Sequence, residues 1–194
     1  NYKGFNIAIH ELGHNVEQVF TLNKMDHYTL NGVPNTAFTE AFAFVFQSRD
    51  LDVLGLDSDD PQAEHLRALD TYWSVCEIGA VGLVDLRVWR WLYDNPDAAP
   101  AELRAAVLGI AQDVWNEYYY PMTGVKDSIL LAIYSHMIAY GLYLPDYSIG
   151  HIIMFQIEQY LKDKNLGREM ERMCKIGRVT PDYWMRQAVG APVS

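Results

Sequence analysis

A helical spacing of apolar residues at the start of the chain constrains its fold most strongly. Between Phe5 and Phe20, apolar residues recur every three or four positions, at Ile9, Leu12 and Val16 among others. This period predicts an amphipathic helix. Similar patterns follow along the chain, separated by Pro, Gly and Asn, without an internal repeat or a long linker. We therefore predict an all-α protein in which residues 1–194 form a single helical domain.

The remaining helices are predicted from the same spacing and from their boundary residues. The segment that starts at Thr36 alternates Phe42, Phe44 and Phe46, which also fits a strand, but its alanines and its length favour a helix. Residues 126–144 contain the most apolar run, which is too short for a membrane span and is typical of a buried helix. The predicted helices cover residues 5–20, 36–54, 57–93 with a possible break at Gly79 or Gly82, 101–117, 126–144, 145–162, 165–176 and 181–188.

Composition excludes several classes of function. The net charge is −10 over 194 residues, which argues against nucleic-acid binding and against a polybasic membrane anchor. Cys76 and Cys174 do not have metal-ligand spacing. No signal peptide or membrane span is visible, so we expect a soluble protein and favour the cytoplasm, although the compartment stays open. Because a motif lies only ten residues from the start, we expect the C-terminal part of a longer chain, whose N-terminal part forms the second wall of a cleft.

The strongest chemical signal is the sequence His10-Glu11-Leu12-Gly13-His14, which reads H-E-x-x-H. On a helix, positions i and i+4 share one face, so both imidazoles can bind the same Zn²⁺. The intervening glutamate can then act as a base on water bound to the metal. The motif predicts a zinc site with His10 and His14 as ligands and Glu11 as the catalytic base.

A catalytic zinc site usually needs a third protein ligand. Glu40 is our candidate, because it lies 26 residues after His14 in an otherwise apolar helix that can return antiparallel to the first one. A carboxylate among aromatic residues needs a cation or a hydrogen-bonding partner to offset its desolvation. The alternative is that Glu40 only caps its helix or reaches solvent. Glu17 is a weaker candidate, and we predict a solvated surface position for it.

These two segments together resemble a known family. The stretches HELGHNVEQ and NTAFTEAFAFVFQSRDLDVLGL are similar to the helical gluzincin peptidases, which include the angiotensin-converting-enzyme-like peptidyl-dipeptidases and the thimet-oligopeptidase-like enzymes. The resemblance implies a zincin-like helical catalytic subdomain in which the H-E-x-x-H helix packs on the helix of the third ligand. It implies one Zn²⁺ per chain, bound by His10, His14 and Glu40, and a peptide substrate.

The resemblance also covers the stretch HMIAYGLYLPDYSIGHIIMFQIEQYL. By similarity, Tyr147 would donate a hydrogen bond to the oxyanion, and His136 would hold the substrate carbonyl. His151 would lie one helical turn after Tyr147 and contact substrate. Tyr140 and Tyr143 are rivals to Tyr147 for the phenol role, and Tyr140 is otherwise a substrate-binding candidate.

Some positions depart from the family pattern. Phe44 stands where these peptidases often have an Asp that orients a zinc histidine, so another group must hold that imidazole. Asp146 replaces the basic residue of the chloride-dependent members, so we expect no chloride activation of that kind. Tyr134 stands near the position of the lysine that binds the substrate carboxylate in dipeptidyl members, which leaves exo- or endopeptidase action open.

We therefore expect a zinc-dependent peptidase that hydrolyses short peptides. One alternative is a catalytically inactive peptide-binding protein on a zinc peptidase scaffold. Another is a helical interaction domain in which the motif arose by chance. Retention of Glu11 beside two metal ligands favours an active enzyme over the inactive scaffold.

Overall fold

Every regular element of residues 1–56 and 61–194, which the computed structural model describes, is a helix. The all-α prediction is therefore confirmed for this part of the chain. The α-helices are α1 (Tyr2–Asn23), α2 (Thr36–Gln47), α3 (Asp50–Val53), α4 (Ala63–Asp94), α5 (Pro100–Tyr118), α6 (Tyr120–Thr123), α7 (His136–Ala139), α8 (Leu144–Leu161), α9 (Leu166–Cys174) and α10 (Pro181–Val189), with short 3₁₀ helices at Tyr28–Leu30 and Leu130–Ile133. None of the described helices is both long enough and apolar enough to cross a membrane.

The chain forms two compact units. The first consists of Asn1–Tyr72 and Ile149–Ser194, and the second of Trp73–Ser148. The core of the first unit contains aromatic residues of α2 packed against Trp184 of α10, with the Phe38 and Trp184 rings meeting edge to face at 5.0 Å. The core of the second unit is built mainly from valines of α4 and α5, together with Leu131 and Met137. Each unit thus has a buried apolar core of its own.

Some predicted boundaries agree with the structure, and others differ from it. Helix α2 begins at Thr36, as predicted, after Asn35 has capped it by accepting a hydrogen bond from the Ala37 N–H. It ends at Gln47 rather than continuing as one helix to Leu54. Helix α4 runs through Gly79 and Gly82 without a break. The predicted helix start at Asp57–Pro61 falls mostly on residues 57–60, which lie outside the described residues.

The predicted helix over residues 126–144 is wrong. This segment contains a 3₁₀ turn, the single-turn helix α7 and irregular backbone. Asp127 and Leu142 adopt positive φ angles of 58° and 64°, which interrupt a right-handed helix. The indole of Trp89 donates a 2.9 Å hydrogen bond to the Met137 carbonyl. This carbonyl therefore has a hydrogen-bond partner although it does not belong to a long helix. Leu131 and Met137 of this segment are buried through tertiary contacts, which helical periodicity does not reveal.

Candidate metal centre

The candidate metal centre depends on a close contact between α1 and α2. A Cβ atom at Gly13 would lie 2.7 Å from the Cα of Ala43 and 3.0 Å from the Phe42 carbonyl oxygen. Only a glycine therefore allows the two backbones to come this close. Because Gly13 directly precedes His14, the contact brings the H-E-x-x-H face of α1 against α2.

The apolar face predicted for α1 packs only in part. Ile9 is buried, but Leu12 and Val19 are 46% and 60% exposed. The other buried residues of the helix are a glycine and two hydrogen-bonded polar residues, Gly13, Glu17 and Thr21. Apolar spacing therefore identified part of the buried side and missed its small and polar members.

The two histidines and Glu40 converge on this interface. His10 Nε2 lies 3.4 Å from Glu40 Oε2, and His14 Nε2 lies 3.7 Å from Glu40 Oε1. One possible ligand atom from each residue lies within 4.8 Å of the other two. Two ligand atoms that are each about 2.1 Å from a tetrahedral zinc ion are about 3.4 Å apart. The spacing therefore fits a metal ion, and the three residues form a group that could hold one.

Glu40 is 1% exposed, so it neither reaches solvent nor serves as a surface cap. The Glu40 carboxylate also affects the protonation of His10. Burial alone would lower the pKa of His10, but the hydrogen bond and negative charge of Glu40, with smaller contributions from Gln47 and Glu11, raise it above its ordinary value.

A hydrogen-bonded chain extends from the outer nitrogen of His14. His14 Nδ1 lies 3.1 Å from Thr39 Oγ1, which donates to Glu17 Oε2 at 2.9 Å. The Thr21 hydroxyl donates to the other Glu17 oxygen at 3.0 Å. The prediction that Glu17 is a solvated surface residue is wrong, since it is 3% exposed. The two hydroxyl donors offset the cost of burying its carboxylate.

A longer chain extends from the outer nitrogen of His10. His10 Nδ1 lies 3.0 Å from Gln47 Oε1, the Gln47 amide donates to Asn6 Oδ1 at 2.6 Å, and the Asn6 amide donates to Asp50 Oδ2 at 2.6 Å. The Tyr2 hydroxyl also donates to Asp50 Oδ2, at 2.7 Å. Burial raises the pKa of Asp50, but hydrogen bonds from Tyr2, Asn6 and the backbone outweigh burial and lower this pKa below its usual range. The sequence predicted that a group other than residue 44 holds a histidine of the site. Gln47 makes such a contact with His10.

The Phe44 ring contacts the rings of both His10 and His151. The Phe44 ring lies 5.2 Å from the His10 ring and stacks on His151 at 3.8 Å with an interplanar angle of 11°. Gly150 permits this packing, because a Cβ there would be 3.1 Å from both the Ala37 carbonyl oxygen and Glu40 Cβ. His151 therefore lies in the first unit beside the three residues that could hold a metal ion.

The His151 ring is held in a neutral form. Its Nδ1 is buried and has no hydrogen-bond partner among the described residues. Burial, assisted by the charge of His10 and opposed by Glu40, lowers the pKa of His151 to about 4. Glu11, by contrast, is exposed on α1 next to His10, which leaves its carboxylate accessible to water.

The other predicted catalytic residues lie in the second unit. His136 begins α7, and its ring lies 6.4 Å from that of Tyr147 and 5.9 Å from that of Tyr140. Tyr147 also meets the Tyr143 ring edge to face at 5.3 Å. Tyr140 is 65% exposed, whereas Tyr147 and His136 are partly buried. The structure thus groups the predicted residues His136, Tyr140 and Tyr147 within one unit.

Sequence reasoning missed the polar residues behind the two histidines. Asn6 lies one helical turn before His10, and Gln47 lies two turns after Glu40, so each shares a helix face with a ligand. Thr39 directly precedes Glu40. This polar stripe is the signal that could have identified them.

No family model matches the chain, and neither does any curated protein or solved structure. The resemblance to helical gluzincin peptidases therefore remains a prediction that rests on the motifs.

Proposed function

We propose that this chain is a zinc-dependent peptidase that hydrolyses short peptides. The proposal is carried by one observation: His10 and His14 of the H-E-x-x-H motif converge with Glu40 at distances that suit one metal ion. Two imidazoles and one carboxylate are a usual ligand set of catalytic zinc. A helical interaction domain with an accidental motif would not need a buried glutamate facing both histidines.

Zn²⁺ held by these three residues would supply Lewis-acid chemistry, which polarises the peptide carbonyl and makes water more acidic. In the proposed reaction Glu11 accepts a proton from water as the water oxygen bonds to the carbonyl carbon. Glu11 then delivers that proton to the amide nitrogen as the carbon–nitrogen bond breaks. Its exposure, one position after His10, supports this role.

The remaining roles come from the family resemblance. Tyr147, assisted by His136, is the proposed donor to the oxyanion that forms when water adds. His151 and Tyr140 are proposed to contact the peptide. The neutral, partly buried imidazole of His151 can exchange hydrogen bonds with a substrate without adding positive charge beside the metal.

Metal content is the first test. We expect about one zinc per purified wild-type chain by elemental analysis, and loss of most of that zinc in Glu40→Gln. Glu11→Gln is the matched control, because it changes a carboxylate of the same motif that does not belong to the ligand group. Full zinc occupancy in Glu40→Gln would contradict the ligand assignment.

Peptide cleavage is the second test. Wild-type protein loaded with zinc should cleave members of a short-peptide library, and Glu11→Gln should lower kcat by about 10²–10⁴-fold while it keeps its zinc. Unchanged turnover in Glu11→Gln would refute the proposed base. A zinc-loaded wild type that binds peptides without cleaving them would instead indicate the inactive peptide-binding protein.

A further inference from the structure

The two hydrogen-bonded chains behind the histidines have a direction, because each leads to a carboxylate that can only accept. In the shorter chain, Thr39 donates its single hydroxyl proton to Glu17. The same oxygen can therefore only accept from His14, which lies 3.1 Å away. His14 must then donate from Nδ1, and Nε2 is the ring nitrogen that faces Glu40.

The longer chain imposes the same result on His10. The Asp50 carboxylate accepts from the Asn6 amide, so the Asn6 oxygen faces the amide of Gln47. The Gln47 oxygen is then the atom that faces His10 Nδ1. If either amide were turned around, an oxygen would face another acceptor, which would cost the hydrogen bond and add repulsion. His10 thus also donates from Nδ1, and its Nε2 is the ring nitrogen that faces Glu40.

We propose that Glu17 and Asp50 are positioning residues that fix both metal-site histidines in the Nδ1–H tautomer and so keep both Nε2 atoms free to bind the ion. This inference deepens the proposed function and rests on its metal site. Each carboxylate reaches its histidine through one or two intervening side chains. In the opposite tautomer, a proton would occupy the atom that must coordinate the metal.

Glu17→Gln breaks the direction of the shorter chain with little change in shape. The new amide can donate to Thr39, whose hydroxyl is then free to donate to His14 and favour the Nε2–H tautomer. Glu17 and Thr39 line a cavity of about 370 Å³, so the polar replacement does not have to fit a fully closed core. Thr21→Val is the matched control, because it removes the other hydrogen bond to Glu17 and leaves the carboxylate in place.

Asp50→Asn provides the same test for His10. Its amide can donate to Asn6 and reverse the chain through Gln47. Tyr2→Phe is the matched control, since Tyr2 donates to Asp50 from outside the path to His10. A general loss of packing would change the histidine tautomers and the zinc affinity in both members of each pair. A reversed chain of hydrogen bonds would change them only in Glu17→Gln and Asp50→Asn.

The deciding measurement is the tautomer of each histidine in metal-free protein, read from the ring ¹⁵N chemical shifts in two-bond ¹H–¹⁵N spectra at about pH 8.5, about two pH units above the ordinary imidazole pKa. Signals are assigned with His10→Gln and His14→Gln. We expect Nδ1–H at both positions in wild type, Thr21→Val and Tyr2→Phe. We expect Nε2–H to gain population at His14 in Glu17→Gln and at His10 in Asp50→Asn. Nε2–H in wild type, or unchanged tautomers in both carboxamide variants, would overturn the proposal.

Zinc affinity is the second readout. Competition with a chromophoric chelator should show affinities about 10–100-fold weaker in Glu17→Gln and Asp50→Asn, and nearly unchanged in the two controls. Equal losses in the controls would indicate a merely structural role and would overturn the proposal. A wild type that binds no zinc would refute the metal site itself, while the tautomers of the metal-free protein would still decide whether the two carboxylates direct the histidines.

Discussion

The two compact units hold their candidate functional groups by different interactions. In the first unit, His10 and His14 each make a hydrogen bond through Nδ1, and Glu40 is buried between them. In the second unit, His136 and Tyr147 are grouped through ring contacts at 6.4 Å, with Tyr140 largely exposed. A metal site needs its ligand atoms within a few tenths of an ångström of their ideal distances, and a phenol donor needs its oxygen about 2.7–3.1 Å from the developing oxyanion, without contact with the metal ligands. The difference suggests which changes should abolish metal binding and which should alter turnover alone.

The largest effect that would sharpen this comparison is expected from Tyr147→Phe. If Tyr147 donates to the oxyanion, loss of its hydroxyl should lower kcat by about 10²–10³-fold and leave zinc content unchanged. Steady-state kinetics with a cleaved peptide and elemental analysis would measure both. Tyr140→Phe is the matched control. If Tyr140→Phe lost the activity and Tyr147→Phe kept it, the two assignments would be exchanged.

A smaller effect, on both stability and metal affinity, is expected from Gly13→Ala. The new Cβ would lie 2.7 Å from the Ala43 backbone, so α1 and α2 must separate, at a cost of about 1–3 kcal/mol. Because the ligands lie on both helices, zinc affinity should fall as well. Urea unfolding and chelator competition would measure the two effects.

Gly109→Ala is the matched control in the second unit. Gly109 lies within α5, and a Cβ there would meet nothing within 4 Å. The alanine should stabilise the protein by up to about 1 kcal/mol through helix propensity. If Gly13→Ala were equally harmless, the close approach of α1 and α2 would not be what brings the ligands together.

In the metal-free protein, acid should lower the free energy of unfolding of the first unit, because the buried His151 ring resists protonation. The pKa of His151 is lowered from 6.5 to about 4, so the unfolded chain binds a proton more readily than the folded one between these values. The stability contributed by the neutral ring is present above pH 6.5 and is lost as pH falls towards 4. By pH 5 the loss should be about 2 kcal/mol. Urea unfolding at several pH values should show a shallower loss in His151→Leu, and equal slopes would contradict the neutral buried ring.

The smallest expected effect is a difference in thiol reactivity between the two cysteines, one in each unit. Cys174 is buried, and burial, followed by the nearby charge of Glu17, raises the pKa of its thiol above the usual range. Cys76 is only partly buried. A thiol reagent should therefore modify Cys76 first in native protein and reach Cys174 only as the protein unfolds. Mass spectrometry over time would separate the two sites, with Cys76→Ser as the control. Rapid labelling of Cys174 would show that the first unit opens readily.

The sequence predicted some features correctly because they depend on local spacing. Helix α8 begins within one residue of the predicted start at Pro145, where proline suits the first turn. The i, i+4 spacing of His10 and His14 places them on one helix face wherever that helix packs. Glu40 was identified because a carboxylate in an aromatic helix requires a compensating partner.

Other features failed because long-range contacts outweighed local pattern. Residues 126–144 have a helix-compatible composition, but positive φ angles and the hydrogen bond from Trp89 to Met137 hold them in another shape. Glu17 carries a charge that usually faces solvent. It is buried because Thr21 and Thr39 donate to both of its oxygens, and Thr39 is 22 residues away in sequence.

By itself, the sequence determined most of the helices and the three residues that could hold a metal ion, because helical periodicity and ligand chemistry are local properties of residue type and spacing. Only the tertiary structure decided how far the buried side of α1 extends beyond its apolar residues, since that side includes the close contact at Gly13 and the buried Glu17. It also decided the direction of the hydrogen bonds behind His10 and His14. That direction follows from two carboxylates, Glu17 and Asp50, that can accept protons but not donate them, and no spacing pattern records which side chain faces them.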